Sequence, residues 1–364
     1  MPAIQREIEP GKLLKDRYSI VRPLGSGGGG EIFLAQDKNL VDRPVVVKVI
    51  KVEAASQDPR DAKWVRRQFR DEIAALGRVD HPNVVDVIDA GETEGGQLYL
   101  VMQHVDGTDL RPQIGPKGMH LPRVAHIIRQ VGRALSAAHE KGIVHCDLKP
   151  ENIMLQHPGE AKEMVKLIDF GVAKVANSET LTSMIARDFA GRGTWQYMSP
   201  EQLSGGRFDE LSDIYAMGVV AYEMVTGRRP FDVSNPVHLA RMQERGIDVL
   251  PKSLRHELPD EAQGAILRAL ALNPRDRYLF AHDFGEKLAN ALEGGGAKRR
   301  GDEGRSSPPQ GGQSGAHPLG HEAAAASPAG GASGARRGGR AGDRRSGTGA
   351  RALSQPDQRG ARDD

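Results

Sequence analysis

Four short stretches hold residue types that can do chemistry. Gly25-Ser26-Gly27-Gly28-Gly29-Gly30 fits G-x-G-x-x-G, a pattern whose glycines let backbone amides approach a phosphate closely. The text EIFLAQ after it reads as a strand, so the helix that a dinucleotide site needs at that point is missing. No G-x-x-x-x-G-K-[ST] occurs either, and a plain hairpin turn remains the bland reading of the glycines. Lys48 is a lone charge after Val45-Val46-Val47, which by itself suits a lysine that protects an edge strand from pairing. His145-Cys146-Asp147-Leu148-Lys149-Pro150-Glu151-Asn152 and Asp169-Phe170-Gly171 gather hard oxygen donors suited to Mg²⁺ and a carboxylate suited to proton transfer.

It is the joint order that narrows the reading. Glycine loop, strand lysine, H-x-D-L-x-x-x-N and D-F-G follow one another at spacings that resemble the eukaryotic-type protein kinase family, in the style of the bacterial Hanks-type members. The resemblance runs from about residue 18 to 292 and includes Ser199-Pro200-Glu201, where the family has A-P-E, then Asp213 and Arg277. Lys149 and the Gly193-Thr194 stretch resemble the serine/threonine branch. The fold implied is α+β and bilobal, with a β-rich N-lobe holding one main helix and a mainly helical C-lobe. The activity implied is transfer of the γ-phosphoryl group of ATP, with Mg²⁺ or Mn²⁺, to Ser/Thr hydroxyls of protein substrates.

The resemblance also assigns roles to residues. Leu24, Gly25, Ser26, Gly27, Gly28, Gly29 and Gly30 would cover the nucleotide, and Lys48 would reach its α and β phosphates. Glu72, nine positions before His81-Pro82-Asn83, matches the helix acid that pairs with that lysine. Ile32, Val46 and Met154 match residues that sandwich adenine, while Met102, Gln103, His104 and Val105 match the linker that reads its edge. Asn152 and Asp169 would hold the metal, Asp147 would act as catalytic base, and Lys149 would steady the transferred group. Leu76, Val87, His145 and Phe170 match a hydrophobic column anchored by Asp213; Glu151 and Glu223 match acids that in some kinases attract basic residues near the target hydroxyl.

Three departures modify the expectation. Cys146 stands where the family has the arginine of H-R-D, which binds a phosphate on the activation segment, and a thiol makes no such charge-assisted bond. Activity is therefore expected to depend less on phosphorylation, although Thr180, Thr182 and Ser183 offer acceptors for autophosphorylation. Val46 replaces a more common alanine and adds bulk beside adenine, and Ser199 replaces the alanine of A-P-E with a mild change. Glu201 and Arg277 are expected to form a buried ion pair. The rival reading from another class is a pseudokinase scaffold that binds nucleotide or partners without turnover.

The elements that must position these residues are legible from periodicity. Residues 18 to 50 alternate as three antiparallel strands, and VVDVIDAG and QLYLVMQ add two more. Between them Val65, Phe69, Ile73 and Leu76 mark one face of a helix over 60 to 78. Val124, Ile127, Ile128, Val131 and Leu135 mark another helix, and the almost wholly apolar run 213 to 226 predicts a central, buried one. The periodicity continues in EAQGAILRALAL and FGEKLANAL and stops at Gly294. The expected organisation is an extension over 1–17, a kinase domain over 18–293 with lobes 18–102 and 106–293, and a tail over 294–364.

Composition separates the tail from the rest. The 364 residues sum to +2, but residues 294–364 carry +5 and the remainder −3. The tail holds 18 glycines and, of large apolar residues, only Leu319 and Leu353, so it is expected to be disordered. Its arginines, without aromatic residues for stacking, would bind nucleic acid only electrostatically, and no specific nucleic-acid partner is expected. One cysteine allows no internal disulfide, no apolar run is long enough to span a membrane, and the charged start MPAIQREIEPGK lacks a signal peptide's apolar stretch. A cytoplasmic location is the expectation.

Overall fold

The computed structural model of the protein describes residues 8–27, 30–50, 59–170, 194–205 and 209–302. Gly28, Gly29, Gly171, Gly193, the acceptors Thr180, Thr182 and Ser183, and tail residues 303–364 lie outside the described residues.

The N-lobe is built on one antiparallel sheet. Its strands are β1 (Leu13–Leu14), β2 (Tyr18–Gly27), β3 (Gly30–Asp37), β4 (Arg43–Ile50), β5 (Val87–Glu92) and β6 (Leu98–Gln103), in the order β1-β2-β3-β4-β6-β5. The alternation predicts five of these. The sixth, β1, spans two residues, too few for a period-two pattern to register. Strand alternation then sorts the side chains of β4. Val45, Val47 and Val49 join Tyr18, Ile20, Phe33, Ala35, Tyr99 and Val101 in one apolar cluster, whereas Val46 and Ile50 face the other cluster with Leu100 and Met102. Lys48 shares the parity of Val46 and Ile50, so the strand aims its ammonium at the second face.

That second face is continuous with the rest of the core. Helix α1 (Pro59–Leu76) contributes buried Phe69, Ile73 and Leu76, as its periodicity predicts. The side chain of Val65, the fourth member of that stripe, is outside the description. The same cluster runs through Phe170 into the C-lobe helices, and a single apolar core of this kind ties the lobes together.

In the C-lobe, β7 (Thr108–Asp109), β8 (Ile153–Gln156) and β9 (Met164–Leu167) form a small sheet in that order. The helices are α2 (Leu121–His139), α3 (Pro200–Leu203), α4 (Glu210–Thr226), α5 (Pro236–Arg245), α6 (Pro251–Leu254), α7 (Asp260–Ala269) and α8 (Ala281–Asp302). Every residue of α4 from Ser212 to Thr226 is buried, as its nearly unbroken apolar text requires. Its start is fixed by a capping box between Asp209 and Ser212, and its end by Gly227 at φ 80°. Helices α2 and α8 approach closely at a glycine: a Cβ on Gly132 would lie 2.7 Å from the Ala281 carbonyl oxygen. Helix α8 runs on past Gly294 to Asp302, beyond the point where the periodicity ends, because glycines carry no pattern and weaken but do not forbid a helix. Among the described residues no helix is long and apolar enough to cross a membrane.

Candidate active site

The glycine loop joins β2 to β3, strand to strand, which confirms the absence of the helix that a dinucleotide fold would place there. Gly30 has a visible steric reason: φ is 136°, and a Cβ would fall 1.7 Å from the Val49 carbonyl oxygen. Gly25 has none among the described residues, where nothing lies within 4 Å of its would-be Cβ. Behind the loop, β3 and β4 register Ile32 opposite Lys48, and β4 and β6 register Val46 opposite Met102. Val46 and Met154 are partly buried against the core, and Met102 and Val105 are buried. Leu24 is exposed. The proposed adenine-facing residues thus come from β3, β4 and β8, with the end of β6 and the segment after it as the linker.

The loop after α2 carries the polar centre. Asp147 is held by two neighbours: Lys149 Nζ donates to its Oδ2 at 2.9 Å, and Asn152 Nδ2 donates to its backbone oxygen at 2.7 Å and to Oδ2 at 3.2 Å. Burial works against the charge of Lys149, but the carboxylates of Asp147, Glu151 and Asp169 outweigh it and raise its pKa above the ordinary lysine value. The turn itself is braced from below. Asp213, on buried α4, accepts from the backbone N–H groups of His145 at 2.7 Å and Cys146 at 2.9 Å, and contacts His139 Nε2 at 2.9 Å. Cys146 adopts φ 63° and Asp169 φ 59°, left-handed conformations that cost free energy and concentrate at functional sites.

Asp169 follows β9 and reaches Lys48, with Oδ1 3.0 Å from Nζ. The resemblance implies a pair between Lys48 and Glu72; among the described residues the ammonium contacts Asp169. The Glu72 Oε2 is buried without a hydrogen-bond partner among the described residues. Burial pushes its pKa up to about 7. Phe170, next in the chain, packs its ring 4.6 Å from that of His145. Leu76 and Phe170 lie in one cluster with Val87 packed against it, so the four residues of the column meet in one core.

The donors present fit a hard divalent cation. Asn152 donates its amide nitrogen to Asp147, and its oxygen end together with the Asp169 carboxylate would hold the metal. Among the described residues no group of three or more His, Cys, Asp or Glu is arranged to hold a metal. Two oxygen donors suit Mg²⁺, which keeps waters and takes further oxygens from substrate phosphates.

The end of the activation segment is also tied down. Arg277 donates to both oxygens of Glu201, at 2.7 and 2.9 Å, as predicted. Burial opposes ionisation of Glu201, yet hydrogen bonds from Arg277 and Ser212 hold its pKa below the usual carboxylate range. Ser199 does more than its substitution suggests: it caps α3 in a capping box with Gln202, and Gln202 Nε2 donates to the Cys146 carbonyl at 3.3 Å. Sequence reading missed Gln202, His139, Arg111 and Tyr197, the last two of which meet Glu151 and Glu223. Their partners are far apart in sequence, and no local spacing marks them.

The comparisons with known proteins agree with this geometry. The protein kinase domain profile matches residues 18–284. Serine/threonine-protein kinase PrkC of Bacillus subtilis is 35% identical over 284 residues, covering 78% of this chain and 42% of that protein. Serine/threonine-protein kinase PknB of Mycobacterium tuberculosis is 39% identical over 290 residues, 77% of this chain and 44% of that protein. Serine/threonine-protein kinase pkn3 of Myxococcus xanthus is 37% identical over 281 residues, 76% of this chain and 50% of that protein. The matched region thus spans half or less of the length of these relatives.

Proposed function

We propose, from the premise that this chain belongs to the protein kinase family among bacterial Hanks-type members, that it transfers the γ-phosphoryl group of MgATP to serine and threonine hydroxyls of proteins. The observation that carries the reading is Asp147 fixed between Lys149 and Asn152, with the Lys48–Asp169 pair also in place. Phosphoryl transfer asks mainly for positioning and for neutralisation of charge. Asp147 is the base for the acceptor hydroxyl, and its braced geometry limits the rotamers it can adopt. Lys149 supplies a positive charge beside it for the transferred group. Lys48 sits on the sheet face beneath the glycine loop, where it can meet the nucleotide's phosphates. A bound Mg²⁺ on Asn152 and Asp169 would neutralise and orient phosphate oxygens.

The finer reading concerns control. We assign this kinase a reduced need for activation-segment phosphorylation, with Cys146 in place of arginine. Two features support it: the segment's end is anchored by Glu201 on Arg277, and Gln202 links α3 to the catalytic loop through a neutral hydrogen bond. The organisation proposed is a kinase domain over 18–293 followed by a tail without catalytic residues.

The rival reading, a scaffold without turnover, draws on one observation, the Glu72 Oε2 buried without a hydrogen-bond partner among the described residues. γ-Labelled ATP with casein as a general acceptor separates the two. The kinase reading predicts label on serine and threonine of the acceptor. Nucleotide binding with no label on acceptor or enzyme would favour the scaffold.

A further inference from the structure

The peptide unit just before Asp147 belongs to a turn that residues with a side chain rarely adopt. The Asp147 N–H donates to the His145 carbonyl at 2.8 Å, a bond from i+2 back to i that closes around Cys146 at φ 63°. This is a γ-turn of the rare, strained hand, and Cys146 lacks the freedom of a glycine to take it up. Such a turn persists only where its surroundings hold it from several sides. Asp213 holds one side, accepting from the N–H groups of His145 at 2.7 Å and Cys146 at 2.9 Å.

Another side is held by an amide. Gln202 Nε2 donates to the Cys146 carbonyl at 3.3 Å. That carbonyl and the Asp147 N–H lie in one planar peptide unit, so the bond restrains the plane from which the Asp147 side chain projects. Gln202 is 4% exposed, and its amide has a determined orientation. Oε1 accepts from the Ser199 N–H at 3.0 Å and from Ser199 Oγ at 3.2 Å, which turns Nε2 toward the loop. The segment that carries Gln202 is itself anchored, by Gln243 Nε2 donating to the Met198 carbonyl at 2.9 Å and by Arg277 donating to Glu201. Gln202 is therefore a fixed support and does not simply follow the loop.

Resting on the kinase reading, we propose that Gln202 is a positioning residue for phosphoryl transfer: through the Cys146 carbonyl it holds the strained turn that aims Asp147. It acts on the reacting atoms only through that turn. Displacement of a reacting group by about 1 Å can cost about 10²-fold in rate. Loss of one support, with Asp213 still in place, is expected to cost about tenfold.

The test compares three variants of the full chain with the parent, using γ-labelled ATP and casein at a temperature where each is folded. Gln202→Glu keeps an oxygen for the Ser199 N–H but loses the donor to Cys146. Gln202→Met keeps the length and loses both ends of the amide. Ser199→Ala removes the hydroxyl of the cap and leaves the amide in place. Both Gln202 variants should lower kcat about tenfold, with KM for ATP and for casein within about twofold of the parent. Ser199→Ala should keep kcat within about twofold, whatever its melting temperature. Hydrogen exchange supplies a readout independent of turnover: in both Gln202 variants the backbone amides of residues 145–147 should exchange at least about tenfold faster than in the parent. A parental kcat in folded Gln202→Met, an equal loss in Ser199→Ala, a raised KM with kcat retained, parental exchange at those amides, or failure of both Gln202 variants to fold would each overturn the proposal. If the parent transfers no label, the kinase reading itself fails and the inference falls with it; a labelling parent matched by Gln202→Met refutes the inference alone.

Discussion

At the scale of single residues, the charge of Lys48 has two possible acids and the structure chooses Asp169. Glu72, raised to about 7 by burial, makes the choice testable. A carboxyl whose pKa is higher folded than unfolded binds more protons in the folded state, so its contribution is intact below its unfolded value near 4.5 and is lost as pH rises through 7. The cost at pH 8 is on the order of 3 kcal/mol. Glu72→Gln, neutral at all pH, should therefore gain stability over the parent at pH 8 and little at pH 5, measured as melting temperatures at both. An equal difference at the two values would contradict the buried, protonated carboxyl. The grouping of Asp147, Lys149 and Asn152 was legible because they lie within six residues, a spacing that a linear text displays. The contact of Lys48 with Asp169 was not, since it joins residues far apart in the chain.

Among elements, α3 is only four residues long and owes its place to side chains at its ends. Glu201 meets an Arg277 whose side chain is fully buried, and removing one member of such a pair strands the other, at about 3–5 kcal/mol. Glu201→Ala should lower the melting temperature at neutral pH as well as the transfer rate. Because the folded pKa of Glu201 is depressed, its contribution is present above the unfolded value and fades as pH falls below it, so the gap between variant and parent should narrow at acid pH. A melting temperature unchanged at pH 7 would refute the pair's role. The same anchoring underlies the expectation for the activation segment: Thr180, Thr182 and Ser183 all changed to alanine should leave most of the activity in an acceptor-labelling assay, and near-complete loss would refute it. Long elements with strong periodicity, α1, α2 and α4, could be read from the sequence. The two-residue β1 and the extension of α8 across glycines could not, as neither leaves an apolar rhythm.

For the molecule as a whole, the near-neutral total charge hides a −3 body and a +5 tail, and the polar centre belongs to the body. One hydrophobic cluster joins the sheet carrying Lys48 to the helices beneath Asp147, so the groups proposed to hold nucleotide and those proposed to do chemistry share a common support but sit on different elements. Binding and transfer should therefore be separable. The most direct measurement is the nucleotide dissociation constant and the phosphoryl-transfer rate of Asp147→Asn beside the unaltered chain. The account predicts an affinity within about threefold of the parent and a rate lower by about 10²-fold or more, the usual contribution of a positioned base. A variant that transfers phosphate at the parental rate would contradict it.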